Sequence, residues 1–402
     1  MKIQFTLCLL ACSALQAQTP PPTQLPEHPF FVKKTWIIGG LGNWDYLTVD
    51  PKANQLFIAH GTLVQVVDVT TGAVTGQITG LREAHAIALD DTGEFGYISD
   101  GLADEVKVFD RRSLQVVATI PTGPAPRALA LDPQSGLLFA ICGVPVSASP
   151  STPRAPVKSK GQAANPTPVR TPARSTEIKT SVTVIDIQSR RPLATILMPG
   201  RLGFAQSDSN GEVYVNIIDR DSIARLDAQA IGSLLRGETR ETPSLDWTLG
   251  AHSQMHIFSV GAGCHDPSSL AVDHSHQRLF ASCSNMKMSV LNALTGELVT
   301  SLPTGPGTDT IVFDPDRGLI YSANGGANGS LTVIRQDVTD TYAVIQILPT
   351  QQRARTLAVN PSTGEVYLVT DLQAVNLTQP GGIGTLRTMP ADGSFHVLVV
   401  AN

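Results

Sequence analysis

Aromatic residues are scarce in this chain, at 5% of 402 residues. Charged residues are also few, at 16%, with a formal net charge of −5. A weakly acidic balance carries no signal for a polyanionic partner, so nucleic acid is not an expected ligand. Past the N-terminus, no stretch is apolar enough to span a bilayer. The familiar catalytic signatures are missing too. There is no GxSxG elbow, no P-loop, and no GxGxxG between a strand and a helix. Gly381–Gly384 reads as a loop rather than a phosphate cradle. No catalytic residue, resident metal or cofactor is therefore expected from motifs.

Because aromatics are rare, their placement is informative. The stretch His85–Gly123 holds four short runs with apolar residues at alternate positions, separated by turns. That is the strand period, and close copies recur about every forty residues. The copies align on the last residue of the first run: Asp50, Asp90, Asp132, Asp208, Asp273, Asp314 and Asn360. Six or seven residues later each copy has a ring: Phe57, Tyr97, Phe139, Tyr214, Phe280, Tyr321 and Tyr367. Each ring should sit mid-strand between its own sheet and the next, where burial stabilises by about 1.5–3 kcal/mol. Seven copies predict an all-β, seven-bladed β-propeller with four-stranded antiparallel blades. The anchor acids need no catalytic role. Asp and Asn bond to backbone two residues on and open a tight turn.

The length would allow two or three domains, but blades cannot bury both faces alone, so the repeat predicts one domain over residues 30–402. Residues 1–17 read as a secretory signal peptide, with Lys2, an apolar run from Ile3 to Leu15, and Ala17 before the cleavage point. This points to a periplasmic or secreted protein. Leu9–Cys12 only loosely resembles a lipoprotein site. Residues 18–29 are a Pro-rich linker, and Phe30–Gly40 reads as a fourth strand. SFHVLVV (394–400) reads as another fourth strand, so the N-terminal run either takes the outer edge of the last blade or extends it. Residues 144–180, with seven Pro and six Lys or Arg, interrupt blade three and read as a disordered insertion, either a solvated loop or a tether to an acidic envelope partner. Blade four is the most divergent, with a short helical turn at SLLRG (233–237).

Three stretches carry a family resemblance: VQVVDVTTGAVTGQI (64–78), VKVFDRRSLQVVATIPTGPAPRALALDP (106–133) and LNALTGELVTSLPTGPG (291–307). They resemble the YVTN-type repeats of YncE-like β-propellers, over about residues 30–402 without the insertion. The resemblance implies an exported seven-bladed propeller and no particular reaction.

In a propeller the innermost strands line a central funnel. The residues five before the anchor form a ring at its mouth: Asp45, His85, Arg127, Gly203, Ser268, Asp309 and Arg355. The ends of the second strands place His60, Asp100, Cys142, Ile217, Cys283, Asn324 and Thr370 in an outer ring. Three readings stand. The polar groups satisfy one another and hold water. Alternatively, Asp45, His85, Arg127, Asp309, Arg355 and His60 bind a small molecule or an envelope protein, with the two arginines as donors to a carboxylate or phosphate. In the third, His60, His85, Asp45 and His265 hold a metal, though they come from separate repeats. A lactonase-like hydrolase is the enzymatic alternative, with Asp45, His85 and Asp309 as its candidates. The protein is expected to be a monomer. Cleavage after Ala17 leaves Cys142, Cys264 and Cys283. Cys264 and Cys283 flank neighbouring strands and are the candidate disulfide, with Cys142 a buried strand residue.

Overall fold

The computed structural model describes residues 27–40, 42–143, 178–236, 244–246, 254–337, 340–375, 388–390 and 393–402. The signal-peptide and linker readings fall outside these except for residues 27–29, as does the insertion up to residue 177. The third strand of blade three is Lys179–Asp186, so it begins two residues before Ser181 and takes Lys179 and Thr180 from the predicted insertion.

Seven antiparallel sheets follow one another along the chain, each running from an innermost to an outer strand. Blade one is Trp44–Asp50, Gln55–His60, Leu63–Asp68 and Val74–Ile78. In all seven, the aligned aromatic sits on the second strand and is at most 1% exposed. The hydrophobic core is divided among the gaps between blades. Seven apolar clusters fill the seven gaps, including the gap from blade seven back to blade one. Each aligned ring lies in the cluster toward the following blade. Inside its own sheet it faces Val on the third strand in six blades, for example Phe57 beside Val66 and Tyr97 beside Val108.

Blade four departs at this point: Tyr214 lies between Gln206 and Arg225. Glu212, on the same face, pairs with Arg225 at 3.4 Å. Burial pushes the Glu212 carboxyl up to about 7, against the pull of Arg225. A raised folded-state value favours the protonated form. Its stabilising contribution is complete below the unfolded value of 4.5 and is lost as pH rises through about 7. Glu212→Gln should therefore gain about 1–2 kcal/mol at pH 8 over wild type, after allowing for screening by water that still reaches the group. Urea melts at pH 5 and pH 8 check this. An equal effect at both pH values would count against it.

The anchor acids make the expected turns. Asp50 accepts from the backbone of Lys52 and Ala53, Asp132 from Ser135, and Asn360 from Ser362. Several also join blades. Arg111 of blade two reaches the Asp50 carboxylate and the Asp90 carbonyl.

The divergent stretch after blade four's third strand is a helix, Ala228–Arg236, longer than the turn expected at SLLRG. Asp227 caps it by accepting from the Ala230 N–H. Ala228, Ile231 and Leu235 form its buried stripe against blades three and four. Arg236 then bonds Asp186 and the Ser135 carbonyl in blade three. A short strand, Ser244–Asp246, adds in parallel to the outer strand of that blade.

Closure follows one part of the terminal-strand reading, with the N-terminal run on the outer edge of the last blade, and corrects the other. His396–Ala401, which overlaps SFHVLVV and runs one residue past it, is the third strand of blade seven rather than its fourth. Before it, Gln373–Val375 pairs with Thr388–Pro390 in a separate two-stranded sheet, so among the described residues neither segment joins the blade. Phe31–Ile37 takes the outer edge and pairs along His396–Ala401, so strands from both ends of the chain share one blade and close the ring. Cys264 and Cys283 are disulfide-bonded, with Cα atoms 5.5 Å apart, and Cys142 is a free buried thiol. Burial pushes that thiol up to about 11, so it stays protonated. Among the described residues no helix is long and apolar enough to cross a membrane.

Candidate functional site

All seven ring residues line one of two adjoining cavities at the funnel mouth. The first, about 370 Å³, is lined by Asp45, Arg127, Gly203, Ser268, Asp309 and Arg355 among others. The second, about 490 Å³, adds His85 and shares Asp45, Arg127 and Arg355. The local cause is a repeated irregularity. In blades one to six the pairing between innermost and second strand shifts register at the ring position. A bulge frees a residue from the ladder and re-aims its side chain, here toward the axis.

The ring partly satisfies itself. His85 Nδ1 and Asp45 Oδ2 are 2.6 Å apart, and His85 Nε2 lies 3.2 Å from Glu83 Oε2. Arg355 donates to Asp309 at 2.8 Å and to the Trp44 carbonyl, with its guanidinium 5.5 Å from the Trp44 ring. Asp309 keeps 38% of its side-chain surface open to the funnel, and the cavity walls surround the rest. Burial therefore raises its pKa, with Arg355 opposing and Asp45 adding to the rise.

Arg127 is different. Its guanidinium makes no hydrogen bond or ion pair with the described residues. Its stem crosses Gly143, where a Cβ would collide with it. Arg201, in the same cavity, is exposed, and its guanidinium is likewise without such a partner.

His60 stands apart from the other five candidate ligand residues. It is buried, its Nδ1 is 2.8 Å from Gln65 Oε1, and its ring packs 4.0 Å from Phe395. Burial lowers its pKa. It lines neither mouth cavity. The whole outer ring is buried, and its members serve structure: Asp100 accepts from the Arg82 and Glu83 N–H groups, and Asn324 from the Thr308 hydroxyl. The metal quartet does not assemble. His265 pairs with Asp221 instead, and among the described residues no three His, Cys, Asp or Glu side chains form a metal-holding group.

The repeat alignment missed Tyr46 and Phe204, which lie one residue after the ring position. Their rings meet at 5.1 Å. Strict alternation would turn them away from the axis. In blades one, two and four, however, the register shift spans two residues and releases the second side chain as well; in blade two that is only Ala86, whereas blades one and four carry Tyr46 and Phe204. The only available signal was that Ala86, Ala128, Ser269, Thr310 and Thr356 hold small residues at this position in the other repeats. Burial holds the Tyr46 phenol well above its ordinary pKa, and the Asp309 and Asp45 carboxylates add to this. It is thus a neutral donor among the ring charges.

These features define a class: a seven-bladed β-propeller with a polar, mixed-charge funnel mouth. Solved structures agree on the fold. The chain is similar to one in "Crystal structure of RRP9 WD40 repeats" (TM-score 0.62, 9% identity, 91% of this chain and 96% of that one). It is similar to "Structure of U3-55K" (0.62, 9%, 90% and 97%) and to a chain of "Crystal Structure of Mitotic Checkpoint Complex" (0.56, 12%, 91% and 96%). At such identities only the fold is shared. No family model and no curated protein matches the chain.

Proposed function

We propose that this is an exported, YncE-like, non-catalytic propeller that binds a small anion, or an acidic group on an envelope protein, at its funnel mouth. The observation that carries this is Arg127, whose guanidinium stands in the mouth cavity without a hydrogen-bond or ion-pair partner among the described residues, beside Arg201 and Arg355. Two acids share the cavity, but Asp45 is engaged by His85 and Asp309 by Arg355. A free guanidinium facing a cavity is a ready bidentate donor to carboxylate or phosphate. The export reading rests on residues 1–17, and the YncE likeness on the three quoted stretches.

Titration calorimetry with inorganic phosphate and citrate at low salt tests the site. Arg127→Ala should weaken binding about tenfold or more, the scale of one charge-assisted hydrogen bond. Its melting temperature should stay near wild type because the group supports nothing else. Affinity unchanged from wild type in both Arg127→Ala and Arg355→Ala would defeat the assignment. The hydrolase reading has one point in its favour, the short Asp45–His85 pair. Its third candidate, Asp309, is held by Arg355. Turnover on a panel of lactones would favour that reading over simple binding.

A further inference from the structure

The floor of the mouth cavity says more about its occupant than the rim does. Blades one and four lie on opposite sides of the axis, and Tyr46 and Phe204 reach across it to touch. Both rings also line a second cavity further along the axis, about 290 Å³ in volume. They therefore divide the channel and give the mouth cavity an aromatic base. Both remain partly exposed there, in a chain with few aromatics. Blade four adds a second apolar feature. Its ring position is Gly203, and Ile218 occupies the space a Cβ would need. One sector of the rim is thus aliphatic, and Arg127 of blade three and Arg201 flank it.

Resting on the anion-site reading above, we propose that the cavity takes a small anion with an aryl body. The anionic group meets Arg127 and Arg201, and the body lies on Tyr46 and Phe204 against Ile218. The Tyr46 hydroxyl makes no hydrogen bond with the described residues and is available to the same anionic group. A bare inorganic anion would leave the aromatic base wet. A planar apolar body covers it and gains from the area removed from water.

The experiment compares phenylphosphonate with methylphosphonate by calorimetry on the full chain. Their head groups match and only the body differs. Phenylphosphonate should bind about tenfold tighter or better. Phe204→Ala should shrink that ratio toward one, whereas Arg127→Ala should weaken both ligands and preserve it. Should Phe204→Ala melt early, Ile218→Ser at a half-buried site provides the same reading, with a reduced ratio expected. Equal affinity for the two ligands in wild type overturns the aryl proposal and leaves the anion site standing. A ratio unchanged in both Phe204→Ala and Ile218→Ser overturns it as well. Failure of wild type to bind either ligand removes both proposals together.

Discussion

A chain lacking residues 1–37 is expected to lose most of its folding stability and to melt at least 15 °C lower, if it folds at all. The missing segment is the outer strand of blade seven. Six of its residues pair along His396–Ala401. Trp36 stacks on Tyr367 at 5.7 Å and lies over Gly72, where any side chain would strike the indole. Phe30 meets the Tyr321 ring of blade six at 5.8 Å, and its backbone exchanges two hydrogen bonds with the Gln346 amide. Burying the two rings gives about 3–6 kcal/mol, and the ladder adds about 1 kcal/mol per hydrogen bond. The sum is on the order of 10 kcal/mol, comparable to the whole net stability of a domain. The smaller change Trp36→Ala should cost about 3–5 kcal/mol. Thermal and urea melts of both variants decide the matter. A truncated chain melting within a few degrees of the full one would show that closure at this seam is dispensable.

Arg111→Ala should be the most damaging single charge removal, at about 3–5 kcal/mol. Its guanidinium is almost wholly buried between blades one and two, against Asp50 and 3.7 Å from an Asp90 oxygen. Both carboxylates are themselves buried. Removing the arginine leaves two acids facing each other away from water. Arg111→Lys should recover little, because one ammonium cannot reach the Asp50 carboxylate and the Asp90 carbonyl together. Asp50→Asn in the Arg111→Ala background should recover part of the loss by removing one uncompensated charge. Urea unfolding of the single and double variants measures this. A cost under 1 kcal/mol for Arg111→Ala would mean that water reaches the acids in the gap.

Much of the fold was legible because its signals are local. Alternation over five or six residues sets a strand, and Asp or Asn bonding its own turn sets the hairpin. A ring at constant offset counts the blades. The funnel ring was legible for the same reason: the offset from turn acid to axis is shared by all seven copies. The charges at that ring were readable as well, but their pairing was not. Asp45 meets His85 from forty residues away, and Arg355 takes Asp309 from forty-six. Arg127 is left over only because of these choices.

The chain alone thus determined seven blades, most of their strands, and the seven ring residues that stand at the mouth. Three matters were left to the tertiary structure: which strand closes the ring, where the divergent helix docks, and which aromatics cross the axis. Closure and docking join residues hundreds of positions apart or in different blades, and periodicity carries no information over that distance. Tyr46 and Phe204 depend on two-residue bulges, which break the very alternation from which the strands were read.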